Sequence, residues 1–328
     1  VSSLSVFANG ESIEHATRGD PREAGAMRYA IGLTVHHPIP DDLCSGTFLS
    51  RFAVAAEQAG FDAIYLTEHP APGDDWLRSG GHDALDPFVA LGYAAAVTER
   101  LRLFTNLTVL PYRNPFMLAK AVATLDRLSH GRVILGAGVG YLESEYAAVG
   151  VAFEERNALF DESLALLRRI WTGGTVVHDG LHLRAEGNTA RPAPVQDPVP
   201  IWLGGNSKLT LRRVAAHGQG WMPLPNPRAL GGRRRSRHLD DLDDLDRYLD
   251  ELRRHCADQG RTDPIDIAFM TMAGGSPSRE GFDASAHRDS LAELADHGVT
   301  WNVVTVGGGS PDDAVAAVHR YGEQVIAG

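Results

Sequence analysis

The sequence predicts an α/β protein, a closed (β/α)8 TIM barrel, on three observations. Apolar runs and amphipathic helical stretches alternate from Met27 to the C-terminus, and eight strand runs can be counted. The clearest runs, 101–108 and 132–137, are short and apolar throughout, as strands buried on both faces of a parallel sheet are. Between them 115–129 reads as a helix, and strand, helix, strand without a hairpin is a parallel βαβ unit. An open doubly wound sheet is the alternative, but steady alternation leaves it no obvious central switch point.

Taken in order, Tyr29–Val35 is the first strand, Phe48–Ala59 a helix stopped by Gly60, and Ala63–Leu66 the second strand. A loop leads to a helix over Pro87–Val97 and then to the third strand, Leu101–Thr108. Pro115 suits a first helical position, and Phe116, Leu118, Ala119, Val122, Leu125 and Leu128 supply three-to-four spacing up to Ser129. The fourth strand, Arg132–Ala137, runs into a glycine-rich turn, Gly136–Gly140. Leu159, Phe160, Leu164, Leu167 and Ile170 put one apolar face on a helix over Arg156–Trp171. Gly173–Ala193 then interrupts the alternation as an insertion between strands four and five, and its Asp179-Gly180 pair reads as a hairpin. Strands five to eight are Pro200–Leu203, Gly220–Met222, Ile265–Met270 and Trp301–Val306. The helices with them are Leu209–His217, Leu239–Gln259, Ser285–Asp296 and Pro311–Val325.

Residues 1–26 are polar and weakly periodic, with no basic start and apolar core; they read as an N-terminal extension ahead of a barrel domain over 27–328. Hydrophobic residues make up 43% of the chain, enough for a large core. The net charge of −11 argues against a general nucleic-acid surface. No apolar run approaches eighteen residues, so no membrane-spanning helix is expected. Cys44 and Cys256 lie far apart without metal-like spacing, which fits a reducing cytoplasm.

Three motifs are more specific: TVLPYRNP over 108–115, ATLDRLSHGRVILGAGVGYLESEY over 123–146 and PIWLGGNS over 200–207. With them the chain resembles the bacterial luciferase-like family, and within it the oxidoreductases that use the deazaflavin coenzyme F420. The resemblance covers nearly everything from Met27 onward. It implies a barrel with extended loops at its C-terminal face, a small-molecule substrate and a homodimer.

Chemistry in such a barrel sits on the loops after the strands. They carry His36 and His37 after strand one, Glu68 and His69 after strand two, and Thr105, Asn106 and Leu107 at strand three. Gly138, Val139 and Gly140 follow strand four, and Gly204, Gly205, Asn206 and Ser207 follow strand five. The last four open a helix, whose first N–H groups have no intrahelical partner and suit an anion. An ordinary helix cap is the plain reading of that turn; the resemblance implies that it and the turn after strand four lie near the cofactor phosphate. It also implies a bulge at Thr105-Asn106-Leu107 behind the cofactor ring, often with a non-prolyl cis peptide, though many relatives carry glycine or serine where Asn106 stands. Glu68 and His69 fall where F420-dependent relatives place an acid and a histidine beside the ring. Histidine titrates near neutrality and can exchange a proton while a hydride moves. Trp76, with His36 and His37, is placed on the substrate side. Sugar-phosphate dehydrogenase relatives carry a glutamate where this chain has Val139, which disfavours a glucose 6-phosphate-type substrate.

Other residues have plainer readings. Arg113 is either a structural ion pair or a site residue. Glu143, Glu145 and Arg156 are expected to pair across turns, His178 and His182 to be exposed, and the 233–238 run to pair locally with acids. The expected activity is hydride transfer between coenzyme F420 and a small organic substrate. The alternative is an FMN-dependent monooxygenase. A metal-dependent hydrolase using His36, His37, His69 and Asp83 is disfavoured, because neighbouring residues of an extended strand point their rings apart. A flavin-binding protein without turnover is the remaining reading.

Overall fold

The computed structural model describes residues 26–34, 36–229 and 236–328. The extension expected over 1–26, all but its last residue, lies outside them, as do Val35 and the arginines 233–235.

Among the described residues eleven strands and ten α-helices follow one another. The strands are β1 Arg28–Leu33, β2 Ala63–Leu66, β3 Arg102–Thr105, β4 Thr108–Val109, β5 Val133–Gly138, β6 Val176–Asp179, β7 Arg184–Asn188, β8 Ile201–Gly204, β9 Gly220–Met222, β10 Asp266–Phe269 and β11 Trp301–Val306. The first five helices are α1 Gly46–Gln58, α2 Asp74–Arg78, α3 Pro87–Ala95, α4 Pro115–Leu128 and α5 Glu143–Ala148. The rest are α6 Arg156–Trp171, α7 Lys208–His217, α8 Leu242–Asp258, α9 Ala284–Asp296 and α10 Pro311–Tyr321. Parallel pairing runs β3-β2-β1-β11-β10-β9-β8-β5, and the β3–β5 pairing closes the barrel. The fold is therefore the eight-stranded barrel that the alternation predicts.

Alternate residues of each barrel strand serve two cores. Ile31, Ile64, Leu103, Leu135 and Ile201 face the helices. Ala30, Ala63, Phe104, Ile134, Trp202 and Trp301 fill the interior. Phe104 and Trp202, and Trp202 and Trp301, meet edge to face with ring centres 5.0 Å apart. The interior is thus packed, and only the strand ends are left for chemistry.

Several boundaries differ from the sequence reading for local reasons. The third strand is not continuous: β3 stops at Thr105, a cis Asn106–Leu107 peptide follows, and β4 resumes the pairing with β5 at Thr108. The helix expected from Leu239 starts at Leu242, because the Asp241 carboxylate caps it by accepting from the Asp244 N–H at 2.9 Å. Leu239 instead bridges to Asn226. The last α-helix stops at Tyr321 and continues as a wider turn over Gly322–Ile326. Short helices α2 and α5 stand where the sequence suggested only loops.

The insertion is the antiparallel β6–β7 hairpin. His178 pairs with Glu162 of α6 at 2.5 Å and is half-buried rather than exposed; His182 pairs with Glu155 at 2.7 Å and is exposed, as expected. The buried carboxylate of Asp126 fixes the chain's return, accepting from the N–H groups of Val195 and Gln196 at 2.6 and 3.0 Å.

Candidate active site

The loops after β1, β2, β4, β5 and β8 carry nearly all the residues singled out in the sequence. The structure divides them into three groups.

The first surrounds His69. Its ring lies 4.5 Å from that of Trp76 on α2, 4.9 Å from His82 and 6.4 Å from Tyr141. His36 joins through an antiparallel bridge to His82, and its Nδ1 meets the Gly80 carbonyl at 3.2 Å. Burial, then the neighbouring His69 and His36, holds the His82 imidazole down at about 4, so it is neutral at neutral pH. Thr67 Oγ1 lies 3.1 Å from its Nε2. His37 stands apart, paired at 2.9 Å with Asp83, which also accepts from the Ile39 N–H. Among the described residues no three His, Cys, Asp or Glu side chains form a group that could hold a metal ion.

Glu145 reaches this group from α5. Its Oε2 lies 3.2 Å from His69 Nδ1 and accepts from the Tyr112 hydroxyl at 3.3 Å, while Oε1 accepts from the Ala71 N–H at 3.4 Å. Burial first, then the Glu145 carboxylate, pushes the Tyr112 hydroxyl well above its usual range, so it stays a donor. The expected pairing of Glu145 with Arg156 is therefore corrected. Arg156 donates to the Phe153 carbonyl and lies over that ring, its guanidinium carbon 3.9 Å from the centroid. Sequence reasoning missed Glu145, Tyr112 and His82. With α5 known to be a helix, Glu143 and Glu145 point about 200° apart and only one can face inward, but six residues are too few to show that period in the sequence.

The second group is Glu68 with the strand break. Glu68 is buried; its Oε2 accepts from the Val109 N–H at 2.6 Å, and its Oε1 pairs with Arg113 at 2.6 Å. Arg113 also pairs with Asp86 at 2.7 Å. Burial pushes the Glu68 carboxyl up against the pull of Arg113. Burial opposes the charge on Arg113 too, yet the two carboxylates hold its guanidinium above the ordinary value. Both Glu68 oxygens thus have partners within the protein, one holding β4 and the other Arg113. Of the two readings of Arg113, the ion pair is the one found.

The break itself, Thr105-Asn106-Leu107, is pinned by Thr105 Oγ1 donating to the Gly136 carbonyl at 2.8 Å and by the Asn106 N–H donating to the Leu66 carbonyl at 2.8 Å. Leu107 spreads its methyl groups over two neighbouring strand ends. A Cβ on Gly138 would stand 2.7 Å from Cδ1, and one on Gly204 2.4 Å from Cδ2. Val139 next to them accepts from the Tyr146 hydroxyl through its carbonyl. Gly140 turns the chain at φ +68°, against Val109.

The third group is the turn after β8. Gly205 sits at φ +111°, a region that glycine enters freely. Its N–H donates to the Met222 carbonyl at 3.1 Å and its carbonyl accepts from Trp221 Nε1 at 2.9 Å. Asn206 is fully buried: Nδ2 donates to the Leu224 and Arg237 carbonyls, and Oδ1 accepts from the Leu224 N–H. The side chain of Asn206, a residue of the turn that the resemblance puts near the cofactor phosphate, instead clamps that turn to the loop after β9. Ser207 caps α7, accepting from the Thr210 N–H at 3.0 Å. The first N–H groups of α7 have no helical carbonyl to reach, and that of Thr210 is taken by the Ser207 cap. In the run after β9, Arg237 pairs with Glu251 at 2.7 Å, and just before the run Arg228 pairs with Asp240 at 3.1 Å, the local pairing expected; 233–235 lie outside the described residues.

These features fit a flavin-like cofactor in kind. Leu107 over two glycines forms an apolar floor between strand ends, and the α7 N-terminus supplies N–H groups for an anion.

Residues 29–274 match the family described as luciferase-like monooxygenase. An uncharacterized protein of Mycobacterium tuberculosis is 32% identical over 278 residues, covering 81% of this chain and 89% of the relative. A protein of Intrasporangium calvum named F420-dependent glucose-6-phosphate dehydrogenase is 29% identical over 295 residues, covering 82% of this chain and 83% of its own. Among solved structures, the oxygenating constituent of 3,6-diketocamphane monooxygenase from Pseudomonas putida, in complex with FMN, superposes with a TM-score of 0.71 at 16% identity. That match covers 92% of this chain and 98% of the other. No helix among the described residues is long and apolar enough to cross a membrane.

Proposed function

The chain belongs to the luciferase-like monooxygenase family, whose relatives and fold neighbours use a deazaflavin or a flavin, and on that premise we propose that it is an oxidoreductase dependent on coenzyme F420. Its substrate is a small organic molecule. The observation that carries the reading is the His69 site: a histidine at a barrel strand end, flanked by Trp76 and held by Glu145.

When bound, the deazaflavin supplies a hydride donor or acceptor. Residues of this chain do the rest. His69 takes or returns the proton that accompanies the hydride, a role worth about 10²–10⁴-fold in rate. Trp76 shields the imidazole on one side, and neutral His82 lies beside it without adding charge at neutral pH. Leu107, with Gly138 and Gly204, would back the ring, and the N-terminus of α7 would hold the phosphate. Glu68 and Arg113 hold the strand break in place from behind.

FMN-dependent monooxygenation is the second reading, supported by the family's description and by the FMN-bound fold neighbour. The 29% identity with an F420-named protein over most of both chains weighs towards F420. Reduced coenzyme F420, incubated with the protein and a panel of aldehydes, ketones and activated alkenes, should be oxidised in oxygen-free buffer. Turnover that appears only with reduced FMN and oxygen would establish the second reading instead. The expected homodimer has a candidate face in Val89 and Tyr93 of α3 and Met117 of α4, exposed apolar side chains on packed helices, which sedimentation velocity can test.

A further inference from the structure

Three loops of the barrel mouth meet on one carboxylate. Glu145 is 1% exposed and lies among donors from the loop after β2, His69 and Ala71, and from the loop after β4, Tyr112, while α5 after β5 supplies it. A staple of three loops needs no histidine among its donors, so the presence of His69 calls for a separate account.

We propose that Glu145 is the positioning residue of His69, fixing which ring nitrogen carries the proton. A carboxylate can only accept, so a neutral His69 facing it must carry its hydrogen on Nδ1. Nε2 is then left with a bare lone pair, and among the described residues it has no hydrogen-bond partner. That is the nitrogen able to accept a proton from a substrate in the mouth. The proposal rests on the reading of His69 as the proton-handling group.

Hydrogen-bond logic makes Glu145→Gln decisive. The Ala71 N–H can only donate, so the glutamine oxygen must take the Oε1 place beside it. The amide nitrogen then takes the Oε2 place, beside His69 Nδ1 and the Tyr112 oxygen, and both of these can accept. The loops stay stapled, with the Tyr112 oxygen now accepting and its hydrogen turned away from residue 145, but the hydrogen of His69 has to move to Nε2.

The test is ¹⁵N NMR of histidine-labelled, cofactor-free protein, with the His69 signals identified by their loss in His69→Ala. In the parent, with the ring neutral, Nδ1 should give the protonated-type resonance and Nε2 the bare-nitrogen type. Glu145→Gln should exchange the two types, with a melting temperature near the parent's. Tyr112→Phe, which leaves the carboxylate in place, should keep the parent pattern. Diethyl pyrocarbonate, which acylates an imidazole nitrogen with a free lone pair, should modify His69 in the parent and in Tyr112→Phe but not in Glu145→Gln. An Nε2–H tautomer in the parent overturns the proposal outright, even if Glu145→Gln fails to fold. So does a folded Glu145→Gln that keeps the parent tautomer and the parent acylation. Both readouts are taken without cofactor, so a failure of the F420 reading would show separately, in cofactor binding and turnover.

Discussion

Leu107 occupies the space that a side chain on Gly204 would need: a Cβ built there would stand 2.4 Å from Leu107 Cδ2. The glycine that ends β8 is thus required by the leucine after β3, and the two strand ends share one floor. Gly204→Ala must push Leu107 aside. Overpacking of this kind costs about 1–3 kcal/mol, so the urea midpoint should fall by a corresponding amount. If Leu107 backs the cofactor, affinity should fall as well. Unchanged stability and unchanged affinity would remove the floor from the account.

Glu68 is buried and pairs at 2.6 Å with the half-buried Arg113, their side chains 3% and 28% exposed. Arg113→Met leaves the Glu68 carboxylate buried without its charge partner, a loss of about 3–5 kcal/mol. Adding Glu68→Gln to that variant should recover part of it, because the stranded charge is gone while the Val109 N–H keeps an acceptor. Chemical denaturation of the two single variants and the double variant measures the coupling. Additive losses would mean that the pair is not a unit.

The barrel and its parallel closure were legible because double-faced burial writes apolar runs that need no partner information. The break in the third strand was not legible from Leu101–Thr108, since Thr105, Asn106 and Leu107 are acceptable strand residues; only the resemblance pointed to a bulge there. The turn after β8 was legible as a helix start, while the burial of Asn206 was not, because its partners Leu224 and Arg237 lie far along the chain. Glu145 was hidden for the same reason: its donors come from two loops distant in sequence. Short helices α2 and α5 are too brief to show a period, yet they carry Trp76 and Glu145 to His69.

His82 gives the site a pH dependence of known sign. Its folded value of about 4 lies below the ordinary 6.5, so the unfolded chain binds more protons between the two. Its contribution to stability is present above about 6.5 and is lost as the pH falls towards 4. The melting temperature of the parent should drop faster over that window than that of His82→Gln, which can still hydrogen-bond Thr67. Parallel curves for the two proteins would contradict the burial of a neutral His82.

His69→Ala should lower turnover about 10²–10⁴-fold with cofactor affinity nearly unchanged. His69→Asn, which keeps one hydrogen bond and loses the titrating group, should fall as far. Turnover is read under saturating cofactor, with the folded fraction checked by circular dichroism. Parent-like turnover in both variants would take His69 out of the mechanism.

The central claim is the cofactor. Equilibrium titration of the cofactor-free protein with coenzyme F420 and, separately, with FMN, each followed by fluorescence, tests it most directly. The account predicts saturable binding of F420, tighter than that of FMN, and weakened for both by Gly204→Ala. Tighter binding of FMN would contradict the F420 assignment, and binding of neither would contradict a cofactor site at this barrel mouth.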